Sequence, residues 1–357
     1  MKGATRALVT GAGGFIGHHL VTYLKEQGCW VRGVDIKKPE YNPTDADEFE
    51  LLDLRRWDSC LQATRGVEEV YALAADMGGM GFISTNHAPI LYNNALINFH
   101  TIEAARLNGV PRYLYTSSAC IYPDYRQREA KVTALKEEDA YPAQPEDAYG
   151  WEKLITERLC THYRSDYGLE THVVRFHNIF GPLGTWTGGR EKAPAAICRK
   201  VAIAKLTNKH EIEIWGDGEQ TRSFCFIDDC VKGMHKLMHS DYAEPLNLGQ
   251  DRLITINELA DMVAGIAGIK LTRKHVPGPQ GVRGRNSDNS RLRQVLGWEP
   301  EISLEEGLTR TYEWIEKQVR SMVTAGAVMT NAMPSGVSPA VPVGSRESPE
   351  LAPGSKA

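Results

Sequence analysis

Thr10-Gly11-Ala12-Gly13-Gly14-Phe15-Ile16-Gly17 follows a short apolar run, 6–10, and opens an amphipathic stretch, 15–27. A strand that turns through glycines into a helix decides the fold. Gly11 permits the tight turn, Gly14 lets a pyrophosphate approach the backbone, and Gly17 lets the helix pack on the strand. The first helical turn, with Phe15 and Ile16, offers unpaired N–H groups to phosphate oxygens.

Outward from this turn, apolar runs at 30–35, 67–73, 112–117 and 171–176 read as strands. A further strand is implied just before Asp53. Segments 55–64, 90–107 and 148–167 carry helical periodicity. Such alternation predicts an α/β fold, a doubly wound parallel sheet of Rossmann type. Beyond Gly181-Pro182 the pattern changes. Helices at 194–205, 228–238, 256–267, 290–296 and 304–319 lie among short strands and glycine turns. We therefore expect a cofactor-binding domain over 1–182 and a smaller mixed α/β substrate domain over 183–322, some segments of which return to the first. Residues 323–357 are rich in Ala, Gly, Ser, Pro and Val and lack periodicity, so a disordered tail is expected.

The 357 residues carry a net charge of -4, with 42% hydrophobic and 24% charged residues. That balance is ordinary for a soluble protein and gives no electrostatic case for a nucleic-acid or anionic-membrane partner. The cysteines at 29, 60, 120, 160, 198, 225 and 230 are odd in number and never spaced CxxC. A zinc site is therefore not expected, and a reducing, cytoplasmic setting is. The first strand begins too early for a signal peptide, and no apolar run is long enough to span a bilayer.

Asp35, at the end of the second strand, is placed to accept hydrogen bonds from an adenosine ribose and to repel a 2′-phosphate, which favours NAD over NADP. Lys37 and Lys38 are read as solvated. Asp53 and Leu54 can flank the adenine, and Leu73, Ala74 and Ala75 are small enough to line the middle of the cofactor. Tyr149 and Lys153 are four apart on one helix face. An ammonium close to the phenol is expected to lower its pKa toward neutrality, so that it can take a proton from a sugar hydroxyl. Ser118, just beyond the fifth strand, can share the same oxygen.

With TGxxGxxG at 10–17, Ser118 and YxxxK at 149–153, the chain resembles the extended short-chain dehydrogenase/reductase family that modifies nucleotide sugars. Asp288-Asn289-Ser290-Arg291-Leu292 and Leu296-Gly297-Trp298 resemble its C-terminal signature. The resemblance covers roughly residues 5–320 and implies NAD as cofactor.

A narrower likeness lies in 74–82, Ser118-Ala119-Cys120-Ile121-Tyr122-Pro123, 175–178, Gly188-Gly189-Arg190-Glu191-Lys192-Ala193-Pro194, 215–218 and 281–288. It implies the branch that epimerises GDP-D-mannose at C3 and C5 to GDP-L-galactose, with GDP-L-gulose as the C5-only product. It also implies a homodimer and, in plants, a place on the route to ascorbate. By this resemblance Cys120 and Lys192 are the acid/base pair, and Asn178, Glu191, Ala193, Gln220 and Thr221 contact the GDP-sugar. Gly78 frees the backbone beside the sugar, and Ala119 adjoins it. Arg222 and Arg285 are candidates to clamp the pyrophosphate, with Lys200 adding charge. His177 is read as structural.

The residues also support this chemistry directly. A ketone at C4 acidifies the hydrogens on C3 and C5, and inversion needs an acid and a base on opposite ring faces. A 4-epimerase would have no need of Cys120 and Lys192. A 4,6-dehydratase would need a carboxylate pair after Ser118-Ala119, where Cys120 stands. A non-catalytic dinucleotide-binding module would be expected to have lost Tyr149 or Lys153.

Overall fold

The computed structural model describes residues 3–324. The first half alternates β1 (Arg6–Thr10), α1 (Phe15–Glu26), β2 (Trp30–Asp35), β3 (Glu48–Leu51), α2 (Trp57–Ala63), β4 (Glu69–Ala72), α3 (Met80–Ile83), α4 (His87–Leu107), β5 (Arg112–Ser118), α5 (Ala148–Tyr167) and β6 (Glu170–Phe176). The second half contains β7 (Ile179–Phe180), α6 (Ala193–Thr207), β8 (Glu211–Trp215), β9 (Thr221–Arg222), β10 (Cys225–Phe226), α7 (Ile227–Met238), β11 (Leu246–Leu248), β12 (Ile254–Thr255), α8 (Ile256–Ala267), β13 (Thr272–Val276), β14 (Gly284–Arg285), α9 (Ser290–Leu296) and α10 (Leu304–Thr324).

Seven strands form one parallel sheet in the order β11-β6-β5-β4-β1-β2-β3. Its central strands are apolar on both faces because helices cover both: Ala7, Leu8 and Val9 are fully buried. Chain order reverses between β1 and β4, and a crevice opens there at the carboxyl ends of the strands. Thr10 closes its floor, its Oγ1 accepting from the N–H groups of Leu73 and Ala74 at 3.0 Å each. The small sheets β12-β9-β14 and β13-β8 hang above this edge.

Local chemistry sets most element ends. Asp147 caps α5 by accepting from Gly150 N at 2.8 Å, and Gly168 ends it in the left-handed region. Thr255 and Glu258 form a capping box on α8. Several boundaries depart from expectation. α4 starts at His87, since Pro89 sits in the first turn, where its missing N–H costs no helical bond. Ser118 is the last residue of β5, where it pairs in register with Phe176. α10 runs on through Val323 and Thr324, which corrects the expected tail by two residues; the remainder of that tail lies outside the described residues. No helix among the described residues is long and apolar enough to cross a membrane.

At the opposite, amino end of the sheet, buried Glu69 meets His239 Nε2 at 2.9 Å and accepts from the Tyr71 hydroxyl at 3.2 Å. Burial opposes ionisation of Glu69, but His239, the Tyr71 hydroxyl and His235 together outweigh it, and its pKa is lowered. The same hydrogen bond raises the pKa of His239. The Glu69 contribution to stability is present above the ordinary Glu value and is lost as pH falls through its lowered pKa. The His239 contribution is complete below the ordinary His value and is lost as pH rises through its raised pKa. His239→Ala should therefore lower the melting temperature most between about pH 5 and 6.5. Thermal unfolding across pH checks this; a deficit equally large at pH 9 would contradict it.

Candidate active site

Gly11 has φ +71, and a Cβ on Gly17 would stand 2.1 Å from the Gly11 carbonyl oxygen. That contact lets α1 start hard against the end of β1. Gly14 is the N-cap of α1 and has no side chain to turn back on the N–H groups of Phe15, Ile16 and Gly17. The first turn thus presents free donors at the positive end of a helix dipole. Asp35 Oδ2 accepts from Gly13 N at 3.0 Å, and Oδ1 from Lys37 N at 3.1 Å. Burial raises the Asp35 pKa, while these N–H donors act to lower it.

The first bond ties Asp35 to the glycine turn and the second to its own loop, and both leave its remaining lone pairs for hydroxyl donors. Leu51, its register partner on β3, is 56% exposed at this edge, and Ile36 is 71% exposed. Donors for a diphosphate, an acceptor for a ribose and uncovered apolar surface beside it suit an adenine dinucleotide. Asp53 follows β3 and is paired with Arg55 at 2.7 Å, while Leu54 is buried beneath it. Leu73, Ala74 and Ala75 line the crevice floor. Gly13 was not singled out from sequence, yet a Cβ there would strike the Lys37 carbonyl at 2.1 Å.

Across the crevice, α5 docks on the turn that ends β5. A Cβ on Gly150 would lie 2.2 Å from the Cys120 carbonyl oxygen. This approach brings Tyr149 beside Ser118, whose hydroxyl acts to lower the pKa of the phenol. Ser118 Oγ also accepts from Cys120 N at 3.2 Å. Lys153 is buried, with Nζ 5.5 Å from the centre of the Tyr149 ring, and donates to the Thr116 carbonyl at 3.0 Å.

The expected lowering of the Tyr149 pKa is corrected here. Burial raises it well above the ordinary phenol value, with the charges of Cys120 and Glu152 adding to the rise. Lys153 makes its own hydrogen bond to the Thr116 carbonyl and none to the phenol. Its own pKa is lowered by burial, against the pull of Glu152.

A buried pair stands behind these groups. Glu157 lies one turn beyond Lys153, accepts from Ser117 Oγ at 2.5 Å, and takes both Arg175 Nε at 3.0 Å and Nη2 at 2.7 Å. Arg175 in turn reaches the Tyr122 hydroxyl at 3.1 Å. The pair locks α5, β5 and β6 together. Sequence reasoning missed it, because its partners are brought together by strand register.

Lys192 is the N-cap residue of α6 and is solvent-accessible, yet protein surrounds its ammonium closely enough to lower its pKa. The neighbouring charge of Cys120 opposes that shift. Glu191 beside it is buried, and its carboxylate holds the loop: Oε2 accepts from Gly189 N at 2.7 Å and Oε1 from Arg199 at 2.9 Å. Gly79 N donates to the Arg190 carbonyl at 3.0 Å, which seats the loop of Gly78 on that of Lys192. Ala193 opens α6.

β9 and β14 are parallel neighbours, and Arg222 and Arg285 are register partners. Arg285 Nη1 donates to Cys120 Sγ at 3.3 Å. Arg222 donates to the carbonyls of Thr221, Gln280 and Val282, and burial pushes its pKa down to about 9. Among the described residues no carboxylate forms an ion pair with either guanidinium. Buried Gln220 keeps its Oε1 without a partner, Thr221 Oγ1 bonds the Ala130 carbonyl, and Lys200 donates to the Glu213 carbonyl. Asn178 adopts φ 48 and donates to the Ser223 carbonyl at 2.9 Å. His177 is fully buried against Asn247 at 3.0 Å, and burial drives its pKa down to about 3.

Comparison with known proteins agrees with this arrangement. The family model described as NAD dependent epimerase/dehydratase matches residues 7–249. GDP-mannose 3,5-epimerase of Arabidopsis thaliana is 54% identical over 321 residues, 89% of this chain and 84% of that one. GDP-mannose 3,5-epimerase 1 of Oryza sativa subsp. japonica is 53% identical over 323 residues, 90% of this chain and 84% of that one. Among solved structures, UDP-glucose 4-epimerase of Thermotoga maritima superposes with a TM-score of 0.79 at 27% identity, covering 88% of this chain and all of that one. The chain belongs to the NAD dependent epimerase/dehydratase family.

Proposed function

We propose that this protein converts GDP-D-mannose to GDP-L-galactose by inverting C3 and C5 through a transient 4-keto sugar. The reading is supported by a thiol, Cys120, that lies within electrostatic reach of both Lys192, an amine of lowered pKa, and Tyr149, and that Arg285 holds at 3.3 Å. More than half identity to the Arabidopsis and rice epimerases supports the substrate.

Bound NAD would supply a hydride acceptor and donor for C4 and positive charge that favours ionisation of the phenol. Residues 10–17, Asp35 and the 73–75 floor hold it, with Asp53 and Leu54 at the adenine. Tyr149 takes the O4 proton while Ser118 holds that oxygen. Lys153 holds the end of β5 through the Thr116 carbonyl and keeps a cation on the phenol's side of the crevice. The C4 ketone then acidifies C3–H and C5–H. At each carbon one of Cys120 and Lys192 removes a proton and the other delivers one to the opposite face. Tyr149 finally returns its proton to O4, so the oxidation state of the sugar is unchanged. Release after the C5 step alone yields GDP-L-gulose.

Arg222, Arg285 and Lys200 supply positive charge, while Gly78, Ala119, Asn178, Glu191, Ala193, Gln220 and Thr221 shape the substrate cleft. Residues 1–182 form the cofactor half and 183–322 mainly the substrate half, with β11 returning to the main sheet. The protein acts in the cytoplasm as a homodimer. Support for the dimer comes from Leu91, Tyr92 and Phe99 on α4 and from Trp151 and Ile155 on α5, an exposed apolar stripe on adjacent helices.

In deuterated water, the wild-type enzyme should place label at C3 and C5 of the product. Cys120→Ala should lose turnover by about 10²–10⁴-fold, as removal of a general acid or base does. Tyr149→Phe should lose label at both carbons, since no ketone forms. NMR of the products decides; unchanged labelling in either variant contradicts the assigned role.

Asp35 should give NAD the tighter binding. Asp35→Ser should weaken NAD by about tenfold and narrow its advantage over NADP, one charge-assisted hydrogen bond being at stake. Titration of both dinucleotides by tryptophan fluorescence measures this. A wild-type preference for NADP would refute the assignment.

A further inference from the structure

Gln127 lies outside every motif above, yet all its polar groups are engaged, some with the catalytic turn and some with the β14 segment. It is fully buried. Its side-chain Oε1 accepts from Arg285 Nε at 2.6 Å, and its Nε2 donates to the carbonyls of Tyr122 at 3.0 Å and Pro123 at 3.3 Å. Its backbone carbonyl accepts from Arg283 N at 2.9 Å and Gly284 N at 3.1 Å, and its own N–H donates to the Asp124 carbonyl at 2.8 Å. The amide has one workable orientation: reversed, its NH₂ would face a guanidinium and its oxygen two carbonyls.

Gln127 therefore joins two pieces of chain. One is the turn that carries Cys120, held at Tyr122 and Pro123. The other is β14, which carries Arg285. A guanidinium is a rigid planar fork, so fixing Nε fixes where Nη1 points. Nη1 points at Cys120 Sγ, 3.3 Å away. We propose that Gln127 is a positioning residue for epimerisation: it holds the Arg285 guanidinium against Cys120 Sγ and so sets where the thiol meets the sugar. This rests on the reading of Cys120 as one of the two proton-exchanging groups. A loss of aim of an ångström at such a group costs about 10²-fold in rate.

The test is solvent hydrogen exchange into GDP-mannose at C3 and C5, followed by NMR, in the full chain. Gln127→Met keeps the volume and removes the bonds. It should slow exchange at one of the two carbons by about tenfold more than at the other, with KM for GDP-mannose within about threefold. In an Arg285→Met background the same substitution should add less than about twofold, because its effect runs through that guanidinium. Gln127→Glu keeps the shape and an acceptor for Nε but replaces the donor to the Tyr122 and Pro123 carbonyls by an oxygen, so it too should slow exchange unequally at the two carbons, by at least about threefold. It also carries the test should the methionine variant fail to fold. Equal slowing at both carbons, an undiminished effect in the Arg285→Met background, or wild-type exchange in Gln127→Glu overturns the inference. A wild-type enzyme that exchanged neither hydrogen would instead overturn the functional reading beneath it.

Discussion

The close approach of α5 to the end of β5 is the constraint on which the site depends. Gly150 and the Cys120 carbonyl can touch only because no Cβ stands between them. Asp147 caps the helix at that point, so its first turn is rigid where it meets the strand end. Tyr149 then lies beside Ser118 and Lys153 reaches the Thr116 carbonyl, and Cys120 is carried along two residues after Ser118. The buried Glu157–Arg175 pair fastens the next turn of α5 to β5 and β6. A buried ion pair of this kind is weak evidence for net stability, but breaking it leaves an uncompensated charge in the core. Its consequence here is registration of a helix against a sheet edge.

Electrostatics divides the crevice. The cofactor end offers helix N–H donors and one carboxylate, Asp35. The substrate end offers Arg222, Arg285 and Lys192, none of them ion-paired to a carboxylate among the described residues, while Glu191 is taken up by Arg199. A positive, protein-walled cleft suits an anionic nucleotide sugar. Burial also explains why Tyr149 and Lys153 depart from ordinary values in opposite directions: each is pushed toward its neutral form. In the proposed reading, positive charge on a bound dinucleotide would favour ionisation of this buried phenol.

Much of this was legible in the sequence. The glycine turn, the alternation of strand and helix, and the helical spacing of Tyr149 and Lys153 are local, so a linear reading captures them. What escaped depends on contacts between distant residues. Arg285 and Cys120 are 165 residues apart, and the tertiary placement of β14, paired with β9 and bonded to Gln127, brings the guanidinium to the sulfur. A lone arginine near a nucleotide sugar reads as a phosphate clamp, whereas the fold places its Nη1 on the thiol. Gln127 carries no motif and is silent until its partners are known. Gly13 sits in plain view within the glycine run, yet its need for a bare Cα comes from Lys37 on the next strand's loop. The raised Tyr149 pKa is likewise a property of burial, which helix spacing does not report.

The central claim is that Cys120 and Lys192 address opposite faces of one hexose whose C4 lies at Tyr149. A crystal structure of Cys120→Ser with NAD and GDP-mannose bound tests it most directly. The account predicts the hydroxyl oxygen that replaces the sulfur and Lys192 Nζ on opposite sides of the pyranose, each within about 4 Å of C3 or C5, a reactive separation. Either atom found remote from the ring, or both on one face, would contradict it.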